Sequence, residues 1–179
     1  MAAVVHGVTL ASTSQAATYT TASFTPAVND LLVAFAVVTA TAAAGAMSDS
    51  LGGAWTLVTT AVKNSSADKL WCFIRNALST AAALTVTMGV TGDNGTGCVL
   101  FVARVSGMTR TGSGGAAKQS AVQSNQATGT PAPAFAVAAL TGNPTLGFVG
   151  NATNPAGLTP PTNWTERADT GFAAPAAGG

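Results

Sequence analysis

Short apolar runs broken by Gly, Pro, Asn and Asp recur along the chain. In Leu84–Met88 apolar and polar residues alternate, so that they take opposite faces of an extended strand. Such runs, rich in Val, Thr and aromatic residues and bounded by turn formers, are typical of β-strands. The pattern predicts strands at Val4–Leu10, Thr18–Phe24, Leu31–Thr39, Trp55–Lys63, Lys69–Arg75, Leu84–Val90, Cys98–Ser106, Ala134–Leu140, Thr145–Asn151 and Trp164–Arg167.

Two of these runs are apolar without alternation. Leu31–Val38 and Val99–Ala103 are typical of strands that are buried on both faces. The uncharged stretch Leu31–Met47 reaches the lower length limit of a membrane span, but threonines interrupt it and no Lys or Arg flanks it. We therefore interpret it as a buried strand. The Ala-rich segment Thr41–Ala46 that follows is too short for a stable helix and is expected to be a loop or a single turn.

Many short strands without strand–helix alternation predict an all-β fold, an antiparallel β-sandwich of jelly-roll type. A single domain is expected over residues 1–179. Gly92–Gly95 is expected to form a tight turn, since Asn and Gly tolerate positive φ. The predicted core consists of Val33, Phe35, Val37, Leu57, Trp71, Phe73, Val86, Leu100, Val102, Phe148 and Val149.

Two segments have little apolar material of their own. Thr109–Pro133 reads as a flexible loop of small and polar residues, and Phe172–Gly179 as a flexible Ala/Gly tail. Ordering each backbone residue costs about 1–2 kcal/mol, and burial of an Ala methyl returns far less than burial of a Leu or Phe. We expect both segments to be ordered by other subunits, with a surface loop and a frayed tail as the alternative.

The charge content is unusually low. The chain has seven basic and six acidic residues in 179, a charged fraction of 7%, against about 25% in typical proteins. The composition excludes disorder driven by charge, and a net charge of +1 argues against nucleic-acid binding. Few charges remain to solvate a free surface or to keep copies apart, so much of the surface is expected to lie in contacts with other subunits.

Catalytic and metal-binding residue types are scarce. His6 has no motif around it that would identify a catalytic triad, and Cys72 and Cys98 are too few for a structural zinc site. The Asp residues lie mostly in turns, where Asp bonds to its own backbone. We expect no catalytic residue, no cofactor, no metal ion and no enzymatic activity. The start of the chain lacks the features of a secretory signal, so buried free thiols are expected, with a disulfide as the alternative.

The three tryptophans have two interpretations. Trp71 lies in an apolar strand and is expected in the core, whereas Trp55 and Trp164 each begin a strand after a loop. We expect these two to plug the ends of the sandwich. The alternative is an aromatic platform for a sugar.

Several short motifs resemble those of a group of tailed-bacteriophage virion proteins. They are Asp30–Val33, Gly53–Leu57, Leu70–Phe73, Val105–Met108 and Thr159–Glu166, and the resemblance spans roughly Asp30 to Thr165. It implies a β-sandwich structural protein of the particle, such as a head decoration (cement) protein or a tail component, and it implies no catalytic residue. One departure is that proteins of this group usually continue with further strands after the second Trp-Thr, where this sequence has a Gly/Ala tail.

The expected function is therefore that of a non-enzymatic virion protein that stabilises the capsid through contacts between subunits. The expected partners are copies of the chain, as a symmetric oligomer with a trimer as the guess, and the major capsid protein or other virion proteins. Neither nucleic acid nor a membrane is an expected partner. The expected location is the virion, assembled in the host cytoplasm. The alternative is a tail-associated or carbohydrate-binding module that uses Trp55 or Trp164.

Overall fold

The computed structural model describes residues 2–39, 44–63, 68–75, 80–91, 97–107, 119–123, 133–139, 141–149 and 159–170. These residues form no helix. Their strands are β1 (Ala3–Ser12), β2 (Thr18–Thr20), β3 (Leu31–Thr39), β4 (Ala44–Asp49), β5 (Trp55–Lys63), β6 (Asp68–Arg75), β7 (Val86–Thr91) and β8 (Cys98–Ser106).

The strands form two sheets in which every neighbouring pair is antiparallel. One sheet has five strands in the order β1-β8-β3-β6-β5, and the other has three in the order β2-β7-β4. The pairs β1–β8, β2–β7 and β3–β6 are nested, as in a jelly roll. The predicted antiparallel β-sandwich of jelly-roll type is confirmed. The nesting stops at β5, which pairs with β6 and not with β4.

The inner core lies between the two sheets. It combines the inward side chains of both sheets, which follow the alternation of each strand. Its buried members are Val8, Tyr19, Leu32, Ala34, Ala36, Val38, Met47, Trp71, Phe73, Leu84, Val86, Met88, Val90, Cys98, Leu100 and Val102.

The outer face of the five-stranded sheet is also apolar and buried. It consists of Leu31, Val33, Phe35, Cys72, Ile74, Phe101, Ala103 and Val105. Leu146 and Phe148 pack against this face from a segment that is not a strand. Phe148 stacks on Phe35 with ring centroids 5.2 Å apart and an interplanar angle of 7°. As predicted, β3 is therefore buried on both of its faces.

Most of the predicted core is confirmed. Leu57 and Val149 are exceptions, with 48% and 57% of their surface exposed, and Phe148 is half-buried. Leu57 points inward from β5 at a position that no described strand of the other sheet covers. Val149 follows Phe148 in an extended segment that has only one covered side, so the two side chains point in opposite directions.

The three C-terminal strands predicted from the sequence are wrong. Residues 134–139, 145–149 and 164–167, the described parts of Ala134–Leu140, Thr145–Asn151 and Trp164–Arg167, are not strands. The alternation around Leu146 and Phe148 arises because alternate side chains pack on the outer face, without pairing to a strand. Gly92–Gly95 and Phe172–Gly179 lie outside the described residues, as does Thr109–Pro133 except for residues 119–123 and 133. Those expectations remain predictions.

The expectation of a loop or a single turn at Thr41–Ala46 is wrong for residues 44–46, which begin β4, and residues 41–43 lie outside the described residues. Small residues are needed there. A Cβ atom added to Gly45 would lie 2.9 Å from Cε2 of Trp71 and would overlap the end of the Met88 side chain. Gly has a low β-propensity, but it occupies this strand position because β4 approaches the aromatic core too closely for a larger residue to fit.

Candidate functional site

The chemistry-bearing side chains do not converge on one place. No group of three His, Cys, Asp or Glu residues within the described part of the chain is placed to hold a metal ion. None of the described residues forms a helix long and apolar enough to cross a membrane. His6 is exposed on β1, where its Nε2 lies 2.8 Å from Thr9 Oγ1 and its ring centroid 5.5 Å from that of Phe101.

The two cysteines are free and buried, as expected from the sequence. Cys72 belongs to the outer face and Cys98 to the inner core, so they lie on opposite faces of the same sheet. Burial disfavours the thiolate and raises the pKa of each thiol to about 12. Both side chains therefore act as small apolar residues.

This burial predicts the reactivity of the thiols. The thiolate is the reactive form, and with a pKa of about 12 it makes up on the order of 10⁻⁴ of each cysteine at pH 8. A thiol-specific reagent at pH 8 is expected to modify neither cysteine in the folded protein, and both after unfolding in guanidinium chloride. The Cys72→Ser and Cys98→Ser variants assign each signal. Rapid modification of either thiol in the folded protein would contradict the burial described here.

The most strongly bonded polar cluster is an ion-pair corner formed by Asp49, Trp55 and Arg75. Arg75 Nε lies 2.6 Å from Asp49 Oδ2, and their side chains are 7% and 0% exposed. The contact is a charge pair and not a directed hydrogen bond. Trp55 Nε1 donates to the same oxygen at 2.8 Å. The corner links the end of β4 in one sheet to β5 and β6 in the other.

The turn between β4 and β5 encloses the rest of this carboxylate. Oδ1 of Asp49 accepts hydrogen bonds from the backbone N–H groups of Leu51 at 2.9 Å and Gly53 at 3.3 Å. Gly53 lies directly on the guanidinium group, since a Cβ atom there would overlap Arg75. The carboxylate is buried and each of its oxygens has two partners, so it connects the turn to both sheets.

A second ion pair joins Asp30 to Arg104. Arg104 Nε lies 2.7 Å from Asp30 Oδ2, with the two side chains 27% and 4% exposed, respectively. The same carboxylate oxygen accepts a hydrogen bond from the Ala27 N–H at 2.9 Å. Both pairs direct charge inward, which leaves fewer of the thirteen charged residues at the surface.

The tryptophans differ in their accessibility. Trp71 is buried in the core, as predicted. Trp55 packs partly against the inner core and its indole N–H is bonded to Asp49, so it is not a free platform. Trp164 is 46% exposed and does not begin a strand. It follows a turn in which Asn163 has a φ of 71°, and its ring packs on Gly147.

Large apolar side chains are exposed in several places on the described surface. They lie on the edge strands β1 and β5, in turns, and in the C-terminal segment. They are Val5, Val28, Leu51, Leu57, Val62, Val122, Phe135, Val137, Val149 and Trp164. A surface with few charged residues and several exposed apolar side chains is suited to contact with other protein.

Comparison of the chain with protein-family models, with curated proteins and with solved structures found no match.

Proposed function

We propose that this chain is a non-enzymatic structural protein of a tailed-bacteriophage particle, which decorates or cements the head. Its partners are copies of itself and the major capsid protein or other virion proteins, and its location is the virion. The observation that carries the proposal is an antiparallel jelly-roll sandwich with a weakly charged surface on which large apolar side chains are exposed.

The distribution of charge supports this role. Asp30 and Arg75 are buried, and the Asp49 side chain is fully enclosed, so part of a small set of charges is used inside the fold. An isolated domain normally keeps its charges on the surface for solubility. Interface cores, by contrast, are depleted of charged residues. A subunit that is covered by neighbours in a particle has this combination.

The cementing role is tested by adding the purified chain to phage heads assembled without it. We expect saturable binding and a higher temperature of DNA release, because the added contacts bridge neighbouring capsid subunits. A β-sandwich protein of similar size and ordinary surface charge serves as the control. Absence of binding to heads, together with absence of the chain from mature particles, would contradict the proposal.

A second candidate function, carbohydrate binding, is favoured by the exposure of Trp164. Trp55 is a poor alternative, since its indole N–H is bonded to Asp49 and its ring packs partly on the core. A glycan array tests this function. Micromolar sugar binding that is lost in Trp164→Ala and kept in Trp55→Phe would support a binding module. Absence of binding to any glycan would contradict it.

A further inference from the structure

The sandwich has a step on the side where β4 and β5 lie. β4 lies over β6, because a Cβ atom on Gly45 would be 2.9 Å from Trp71 and Asp49 pairs with Arg75 at 2.6 Å. β5 is the next strand beyond β6 in the five-stranded sheet, whereas β4 ends the three-stranded sheet. Among the described residues no strand lies over β5. We call this feature the step, formed by the outer edge of β4 and the inward side of Leu57–Val62.

Side chains that point inward from β5 are exposed at the step. Leu57 is paired with Phe73 and Thr60 with Trp71, and both of these partners belong to the inner core. Leu57 and Val62 are nevertheless 48% and 36% exposed. The inner core would continue over these side chains if one more strand were added to the three-stranded sheet.

The opposite side of the sandwich differs. There β1 is the edge strand of the five-stranded sheet, and its inward residue Val8 is buried. Ala16 and Phe24, on the chain before and after β2, pack against the inner core on that side. The fold thus covers the inward residues of one edge strand with its own side chains and leaves those of β5 exposed.

The outer edge of β4 offers backbone groups for pairing. The hydrogen bond from Ser50 N to Thr85 O (3.1 Å) sets the alternation of the β4–β7 ladder, in which even-numbered β4 residues bond to β7. The N–H and C=O groups of Gly45 and Met47 consequently point toward the step. No described strand pairs with this edge, and an open edge is a template for another strand.

We propose that the step binds the step of a second copy of this chain, so that β5 of each copy pairs with β4 of the other. A two-fold axis parallel to the strands exchanges the two layers and preserves strand direction. β4 runs in the same direction as β6, and β5 runs antiparallel to β6. The β5 strand of the second copy is therefore antiparallel to β4.

A second copy is the occupant because the step is complementary to itself. β5 projects from one copy and fills the strand position next to β4 that is vacant in the other. The dimer therefore contains the β4–β5 pair that is missing from the nested strand order of a single copy. Leu57 faces Leu57 of the second copy, and Val62 faces its Val62. Asp49, the charged residue at the end of β4, is already neutralised by Arg75. Each sheet then continues through the contact, five strands from one copy and three from the other.

The inference deepens the proposed structural function by naming a surface through which copies associate, and it is tested without the particle. Light scattering after size exclusion over a range of concentrations should give twice the chain mass of 17.4 kDa for the full chain. Leu57→Lys and Leu57→Glu should each give the single mass, because like charges then face each other across the axis. An equimolar mixture of the two variants should return to the double mass.

Val5→Lys is the matched control, since Val5 lies on the other edge strand of the same sheet and is also 48% exposed. It should keep the double mass. Val62→Lys is a second variant at the step, and circular dichroism verifies that each variant is folded.

The inference would be overturned if the wild-type chain had the mass of one chain or of three chains. It would also be overturned if folded Leu57→Lys and Val62→Lys kept the double mass, or if the mixture of the two Leu57 variants stayed at the single mass. A mass of three chains would agree with the trimer guessed from the sequence and would contradict pairing at the step. A dimer that forms normally but does not bind phage heads would leave the step pairing in place and contradict the proposed cementing function.

Discussion

Replacement of Asp49 by alanine is expected to lower the free energy of unfolding by about 3–5 kcal/mol, the usual effect of removing one partner from a buried ion pair. The variant leaves Arg75 charged and buried, and it removes the acceptor of the Trp55 indole N–H and of two backbone N–H groups. Urea unfolding followed by circular dichroism measures the change.

The double variant Asp49→Ala/Arg75→Met is expected to be more stable than Asp49→Ala alone, since it also removes the unpaired charge. Ser48→Ala is the control, because Ser48 lies next to Asp49 in β4 and is exposed. Its expected cost is about 0.5 kcal/mol or less. A loss below 1 kcal/mol in Asp49→Ala would show that the ion-pair corner does not hold the two sheets together.

Replacement of Leu100 by alanine is expected to cost about 2–5 kcal/mol, the range found for buried Leu-to-Ala changes. Leu100 lies in β8 between β1 and β3 and is fully buried in the inner core. Its loss removes apolar contacts and leaves a cavity that the close-packed sheets cannot fully close. Thermal or urea unfolding provides the measurement.

Leu51→Ala is the matched control for this variant, since Leu51 is 45% exposed in the turn after β4. Surface changes of this kind alter stability by about 0.5 kcal/mol or less. Equal effects of the two substitutions would contradict the position of Leu100 in the core.

The sandwich could be predicted from the sequence because its central strands have clear patterns. The unbroken apolar runs of β3 and β8 indicate burial on both faces, and the alternation in Leu84–Met88 indicates one covered face. These patterns depend on local composition and on the two-residue period of a strand. The jelly-roll class could be assigned, but the sequence near β5 does not decide between pairing with β4 and pairing with β6, because both lie only a few residues away along the chain.

The errors in the prediction have physical causes. The sequence does not predict β4 because Ala and Gly are weak strand formers. The requirement for a small residue at Gly45 comes from Trp71, which lies far away in the sequence. The alternation around Leu146 and Phe148 predicts a strand because a segment that covers one face of a sheet also alternates. The periodicity of a sequence indicates which side of a segment is buried, but it does not indicate whether the backbone of that segment pairs with a strand.

Neither the ion-pair corner nor the step could be read from the sequence. Asp49, Trp55 and Arg75 come together only through the packing of the two sheets. A weak signal was present, since Arg75 ends an apolar strand in a chain with very few charges. The exposure of Leu57 depends on the number of strands in the opposite sheet, which no residue near Leu57 encodes.

Electron cryomicroscopy of the phage particle is the direct test of the proposal that this chain is one of its structural subunits. We expect density for the eight-stranded sandwich at regularly repeated positions on the particle, with its weakly charged surface in contact with neighbouring subunits. A reconstruction that accounts for all of the protein density without this chain would contradict the proposed function.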